Sequence, residues 1–264
     1  MAEGHAVARW AKALRVLIGE QLTTIEATQR WQSQAQQLVG AHLTAVDTHG
    51  KHLLLRSSGA FTIHCHAMQY GSWQIGEPGQ ELRKEARYVR LRLRTAQHEA
   101  VFFHGPVVEF LTDDELATHD KLNALGPDIL HQPFDRAEVL RRLRAEPDRP
   151  IGDAILDQRI ISGIGNIYKS EGLFLAGIDP RHTVAEVSDE AVNRIWDELI
   201  PLMQEGTLHY GPTTTLPESL RTQSDRGWVY RRQGRSCFRC GERITFTRQG
   251  DLKRATYYCP QCQR

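Results

Sequence analysis

The chain has 264 residues, 40% of them hydrophobic and 25% charged, with a formal net charge of +1. This length suits two medium domains plus a small module, and the composition is that of a globular protein rather than a disordered or fibrous one. No apolar run approaches the roughly 18 residues of a membrane span, and the first residues lack the features of a signal peptide. Cys65 stands outside the one cysteine motif, which fits a reducing compartment. We therefore expect a cytosolic protein without a membrane partner.

The N-terminal part of the sequence predicts a helix followed by strands. Apolar residues recur at helical spacing over 5–18, so the chain opens with an amphipathic helix. Short apolar stretches separated by turn residues then predict strands at 41–46, 51–56, 61–65 and 88–95. In the last of these, Arg90, Arg92 and Arg94 alternate with apolar residues, which places arginines on one face. This region predicts a β-sandwich or flattened barrel.

The middle of the sequence predicts a helical domain. Turn-forming residues mark a connector at 113–130. Asp135 and Glu138 have the spacing of a capping box, with Phe134 ahead of it. Further helices are expected over 150–158, over 166–176 and after Ser188. Residues 209–227 have no periodicity and predict a long loop.

The C-terminal segment carries the most specific motif. Two Cys-x2-Cys pairs are separated by eighteen residues, which is the spacing of four thiolates on one tetrahedral zinc ion. The four predicted ligands are Cys237, Cys240, Cys259 and Cys262. Segments 244–247 and 255–258 predict two short strands joined through 249–251, so a structural Zn²⁺ would stabilise a β-hairpin too small to fold alone. Such ribbons also serve as purely structural modules.

Charge is concentrated in the same segment. Residues 226–264 contain ten Lys or Arg against two acidic residues, a net of +8, so the rest of the chain sums to −7. A compact cationic ribbon is a candidate surface for phosphate binding. The alternative is a solvated basic face on a scaffold protein that binds no nucleic acid.

A glycine turn joins two of the predicted helices. Gly163 and Gly165 precede Asn166, where the second helix begins. Backbone N–H groups and the positive end of the helix dipole can bind an anion there, because no bulky side chain blocks a phosphate. Considered alone, the motif also fits an ordinary helix–helix turn.

Three separated motifs resemble the formamidopyrimidine-DNA glycosylase / endonuclease VIII family of base-excision repair enzymes. They are Glu3-Gly-His before a helix, the run 156–171, and the ending Arg254-x4-Cys-Pro-x-Cys-Gln. The resemblance covers essentially the whole chain. It implies an α+β fold with an N-terminal helix and β-sandwich (1–112), a connector (113–130), a helix–two-turn–helix domain (131–225) and a zinc-finger hairpin (226–264).

The resemblance also implies how DNA is held. The positions that match the family's phosphate-binding residues are Lys51, Asn166 and Arg254. Met68, Gln69 and Tyr70 lie in a loop similar to that of the endonuclease VIII branch, where consecutive side chains fill the gap left by an extruded base. Without the resemblance, Met68 and Tyr70 would be interpreted as core residues. Segment 102–106 does not match the Arg-Phe wedge of the 8-oxoguanine branch, which favours oxidised pyrimidines as substrates.

An α-amino group suits the covalent step of such an enzyme. Its pKa of about 7.7–8.0 leaves roughly a tenth or more as free base at pH 7. The resemblance makes the second residue the nucleophile once Met1 is removed, with Glu3 shuttling a proton and Lys51 assisting. Glu3 could instead only interact with the helix dipole. The family pattern has proline where this chain has Ala2. The primary amine of Ala2 can form an imine but is a weaker nucleophile than the secondary amine of proline. If Met1 is retained, the Ala2 nitrogen is an amide and cannot be the nucleophile.

The sequence therefore predicts a DNA glycosylase with abasic-site lyase activity that removes oxidised pyrimidines through a Schiff base at Ala2. The alternative is a protein that binds lesions or abasic sites with weakened or lost catalysis, because Ala2 replaces the proline. We expect damaged double-stranded DNA as the partner, and a monomer in the bacterial cytosol or nucleoid.

Overall fold

The computed structural model describes residues 2–209, 213–222 and 224–264, and it divides the chain into two compact units, 1–124 and 125–264. The division of the sequence into four segments is finer than this and stays a prediction. None of the helices among the described residues is both long and apolar enough to cross a membrane.

The first unit is a β-sandwich preceded by helix α1 (Gly4–Leu14). The first sheet has the order β1-β6-β7-β5 and the second the order β2-β3-β4-β8, with all neighbours antiparallel. The strands are β1 (Thr24–Ala27), β2 (Leu43–His49), β3 (His52–Ser57), β4 (Thr62–His66), β5 (Ser72–Gly76), β6 (Val89–Arg94), β7 (Glu99–Phe103) and β8 (Val107–Leu111). Short helices α2 (Gln32–Gln37), α3 (Asp113–Ala117) and α4 (Asp120–Asn123) complete it. The predicted sandwich is confirmed.

One hydrophobic core lies between α1 and the two sheets. In β6, Leu91 and Leu93 are fully buried, whereas the alternating arginines are half-buried, as the sequence pattern predicts. Leu14 of α1 joins the same core. Each such side chain contributes about 1.5–3 kcal/mol by leaving water. The helix ends earlier than predicted, because residues 15–17 tighten into a 3₁₀ turn.

The second unit is helical and ends in a hairpin. Its elements are α5 (Arg136–Arg144), α6 (Ile151–Ala154), α7 (Asn166–Ala176), α8 (Asp189–Gly206), β9 (Thr245–Gln249) and β10 (Arg254–Tyr258). The limits predicted for α7 are confirmed: it begins after Gly165 and ends at Gly177, whose left-handed φ of 74° closes the helix. In the described part of 209–227 the chain is irregular apart from a 3₁₀ turn at Glu218–Leu220, and residues 210–212 and 223 lie outside the described residues.

Two predictions about helix ends are wrong. The helix expected over 150–158 stops at Ala154. Beyond it the backbone tightens into turns, in which Leu156 N donates to Asp153 O and Asp157 N donates to Ala154 O, both at 3.1 Å. The Gln158 side chain then donates to Leu156 O and Ile164 O and accepts from Gly163 N. At the start of α5, Asp135 accepts from Glu138 N at 2.9 Å as expected. The Glu138 carboxylate, however, accepts from Arg141 and Arg142 instead of closing a capping box.

Candidate functional site

The first residues of the chain are fixed at the start of α1. Ala2 packs against the core of the sandwich, and Glu3 is fully buried. Glu3 is the N-cap, and its carbonyl oxygen accepts from Ala6 N at 2.9 Å and Val7 N at 3.2 Å. The start of the helix therefore has a buried glutamate in the residue that follows Ala2, and a carboxyl group can exchange a proton in catalysis.

Lys51 lies in the turn between β2 and β3. The turn needs Gly50, whose φ is 58°, because a side chain is strained in that conformation. His49 and His52 are paired on either side of the turn. Lys51 is half-buried and belongs to the same unit as Ala2 and Glu3.

The loop after β4 displays its side chains to solvent. Met68 and Tyr70 are 52% and 75% exposed, and Met68 has a positive φ of 49°. The backbone doubles back as Gly71 N donates to Ala67 O at 2.8 Å. A Cβ on Gly71 would come within 2.6 Å of Ala67 backbone atoms, so the turn depends on this glycine. The structure thus excludes a core role for Met68 and Tyr70.

Asn166 connects the start of α7 to the hairpin. Its Nδ2 donates to Ala255 O at 2.8 Å, and the residue is 7% exposed. Ser170, one turn further along α7, accepts from Tyr257 N at 3.2 Å. Asn166 therefore has a structural role that the sequence did not predict. It joins the end of the glycine turn to Ala255, the residue after Arg254.

Glu171 has a structural role that sequence reasoning missed. Its buried carboxylate accepts from the backbone N–H groups of residues 228, 229 and 230 at 2.7, 3.0 and 2.7 Å, and from the Thr215 hydroxyl. It therefore ties Thr215 within the long loop, and residues 228–230 just after it, to α7. The sequence shows only an acidic residue within a predicted helix, and the burial of that helix appears only in the structure.

The four cysteines of the predicted zinc site come together. Their sulfur atoms all lie within 4.8 Å of one another, with Cys237 Sγ 3.8 Å from Cys262 Sγ and Cys240 Sγ 3.5 Å from Cys259 Sγ. Zn–S bonds of about 2.3 Å at tetrahedral angles separate two sulfurs by about 3.8 Å. The donor set and its spacing therefore fit one zinc ion.

Arg254 lies at the end of the hairpin and lines a cleft of about 510 Å³ in the second unit. On the other side of this cleft, Arg149 donates to Asp157 at 3.0 Å and Arg159 donates to it at 2.6 Å. Burial acts to raise the pKa of Asp157, but these arginines hold it well below its usual range. Arg149 and Arg159 thus form a structural ion cluster that faces the hairpin.

Sequence comparisons match two domain families to the chain. The formamidopyrimidine-DNA glycosylase N-terminal domain matches residues 1–107, and the formamidopyrimidine-DNA glycosylase H2TH domain matches residues 125–217. The probable endonuclease 8 2 of Streptomyces coelicolor is 37% identical over 83% of this chain and 78% of its own length. The DNA-(apurinic or apyrimidinic site) lyase Nei2 of Mycolicibacterium smegmatis is 33% identical over 100% of this chain and 99% of its own.

Solved structures share the fold. Lactococcus lactis Fpg in complex with DNA containing an N7-benzyl-Fapy-dG superposes with a TM-score of 0.82 at 22% identity, over the whole of both chains. The same enzyme bound to DNA containing an abasic site gives a TM-score of 0.81 at 24% identity, also over both chains. At these identities the likeness establishes the fold alone.

Proposed function

The chain belongs to the formamidopyrimidine-DNA glycosylase family, in its endonuclease VIII-like branch, and from this membership we propose that it is a base-excision repair DNA glycosylase with abasic-site lyase activity. Oxidised pyrimidines in duplex DNA are the proposed substrates. The observation that carries the proposal is the burial of Glu3 at the start of α1, directly after Ala2. The proposal implies that the protein acts as a monomer at the bacterial nucleoid.

The proposed chemistry needs a free amine on Ala2, and hence removal of Met1. The amine attacks the sugar C1′ and the bond from C1′ to the base breaks, while one amine proton passes to the departing base. The C1′–O4′ bond then opens as the nitrogen loses its second proton, and a Schiff base remains through strand scission. Glu3 supplies a proton to the deoxyribose ring oxygen and removes it later. Lys51, in the turn of the same unit, binds a phosphate near the lesion and assists by holding the nucleotide in place.

Several further residues are proposed to bind the DNA. The exposed Met68, Gln69 and Tyr70 fill the gap left when the damaged nucleotide is extruded. The start of α7 at Asn166 and the cationic hairpin at Arg254 bind flanking phosphates. The four cysteines hold a structural Zn²⁺ that keeps the hairpin folded.

Replacing Glu3 tests the assignment. Glu3→Gln keeps the size of the side chain but cannot donate or accept the catalytic proton, and general acid–base catalysis is worth about 10²–10⁴-fold. Release of thymine glycol or dihydrouracil from duplex DNA should therefore fall at least about 100-fold, while binding to DNA with an uncleavable abasic-site analogue is retained. Equal rates of base release for the two proteins would remove Glu3 from the mechanism.

The alternative, a lesion-binding protein with weakened or lost turnover, is motivated by Ala2 in place of proline. The presence of Glu3 argues against it, because the acid that the catalytic role needs is present and buried in the residue after Ala2. Release of oxidised pyrimidine bases by the unmodified protein separates the two functions, since the alternative predicts binding without release.

A further inference from the structure

A cluster of histidines lies on the outer face of the sheet β2-β3-β4-β8. In β4, Ile63 and Cys65 enter the core, so His64 faces the opposite side of the sheet. His64 Nδ1 lies 2.8 Å from Oε2 of Glu109, its partner across the strand pair with β8. His119 Nε2 lies 3.3 Å from the same oxygen. His119 precedes α4, so the chain after β8 returns over this face of the sheet.

The three side chains have the composition and spacing of a metal site. Their ligand atoms all lie within 4.8 Å of one another. Bonds of 2.0–2.1 Å at tetrahedral angles separate two ligand atoms by about 3.3 Å. The distance from His119 Nε2 to Glu109 Oε2 is already 3.3 Å, and that from His64 Nδ1, now 2.8 Å, must open by about 0.5 Å. We propose that His64, Glu109 and His119 bind a divalent first-row transition ion such as zinc, with the fourth position filled by water.

His52 supports the orientation of one ligand. Its Nδ1 lies 2.8 Å from Nε2 of His64. When Nδ1 of His64 binds the ion, its proton moves to Nε2, which then donates to Nδ1 of His52. Metal-ligating histidines commonly donate their second N–H to such a partner, which fixes the ring. The hydrogen bond is already in place in the protein and needs only a change of tautomers.

Metal binding costs hydrogen bonds. The ion replaces the bonds from His64 Nδ1 and His119 Nε2 to Glu109 Oε2, because a ring nitrogen that binds the ion has no proton to donate. His119 Nδ1 accepts a long hydrogen bond of 3.3 Å from Leu122 N at the start of α4. Coordination through Nε2 puts the proton of the neutral imidazole on Nδ1, and this bond is lost. The ion offsets the loss through three ligand bonds, which join His119 at the start of α4 to His64 and Glu109 of the sheet. The site would therefore fix the segment 112–123, which leads from the sandwich to the second unit, and it is independent of the proposed glycosylase chemistry.

The number of zinc ions bound per chain shows whether the three side chains bind a metal or only form hydrogen bonds with one another. The full-length protein is equilibrated with excess zinc, dialysed against metal-free buffer and measured by mass spectrometry of the elements. Two zinc ions per chain are expected, one on the cysteines and one on the histidine site. His119→Gln and Glu109→Gln should each retain one. The control is His42→Gln, an exposed histidine of the same unit outside the cluster, which should retain two.

Cobalt identifies which site is lost. Thiolate-to-cobalt charge-transfer absorption arises only from the cysteine site, so in His119→Gln it should be unchanged while one cobalt equivalent per chain disappears. Added zinc should also raise the melting temperature of unmodified protein more than that of His119→Gln. One metal ion per chain in the unmodified protein would overturn the proposal. So would two ions per chain in both His119→Gln and Glu109→Gln.

Discussion

At the scale of single residues, His5 links the start of α1 to the effect of pH on stability. The side chain is 2% exposed, and burial, reinforced by the charge of Arg9, lowers its pKa to about 4. In the unfolded chain the pKa is near 6.5. Between these values the unfolded state binds a proton that the folded state does not, so the free energy of unfolding falls as the pH decreases.

His5→Gln should reduce this loss of stability. A glutamine does not titrate, so the variant should lose less stability between pH 6.5 and about 4, by at most about 1.4 kcal/mol per pH unit. Urea unfolding of both proteins at several pH values in that interval measures the difference. Curves of stability against pH that run parallel would show that His5 is protonated as readily in the folded protein as in the unfolded chain.

Single residues also show where sequence reasoning stops. The exposed positions of Met68 and Tyr70 follow from the tight turn at Gly71, whereas their composition alone suggests core residues. Glu171 could not be assigned a role, because its partners lie 44 to 59 positions further along the chain. The same applies to His64 and Glu109, which are brought together by a strand pairing over 45 positions.

At the scale of elements, α7 supports the long loop through Glu171. Glu171→Gln removes the carboxylate that accepts from three backbone N–H groups. The NH₂ group of the new glutamine would face these donors and could not accept from them. Since hydrogen bonds to a charged group contribute about 1.5–3 kcal/mol each, the free energy of unfolding should fall by at least about 3 kcal/mol. Chemical denaturation measures this, with the exposed Glu205→Gln expected within about 0.5 kcal/mol of the unmodified protein. Equal losses in the two variants would contradict this role.

The hairpin of β9 and β10 makes a separate prediction about DNA. Arg254→Ala removes one proposed phosphate contact, so binding to lesion DNA should weaken, and the slope of log affinity against log salt should become shallower by about one unit. A titration at several salt concentrations gives both quantities. Arg243→Ala is the control, since this exposed arginine of the same segment donates to Gly234 O away from the hairpin tip. Unchanged affinity and slope in Arg254→Ala would remove it from the interface.

The elements that sequence reasoning predicted are those with a clear hydrophobic periodicity or with turn-forming residues at their ends. The alternation in β6 and the glycine turn before α7 gave their positions directly. Strand β7 was missed because all five of its positions are buried, so its sequence has no alternation. The end of α6 was misplaced because the backbone tightens into turns after Ala154, where no proline or glycine marks the change.

At the scale of the whole molecule, the distribution of charge and the family membership both indicate DNA as the partner. A chain with a net charge of only +1 carries +8 in residues 226–264, which suits phosphate binding by one segment and not by the whole surface. The order of the three motifs allowed the family and the α+β fold to be predicted from sequence, because each motif fixes a different part of the chain. The histidine cluster belongs to none of these motifs, and only the folded sheet reveals it.

The central claim, that the amine of Ala2 is the nucleophile, is tested most directly by borohydride trapping on duplex DNA with an abasic site. The protein used has an intact mass that shows the loss of Met1, and the adduct is located by peptide mapping. We predict a covalent adduct on Ala2, and none with a variant that carries one additional residue before Ala2. Absence of an adduct with Met1-free protein, or an adduct on a lysine such as Lys51, would contradict the account.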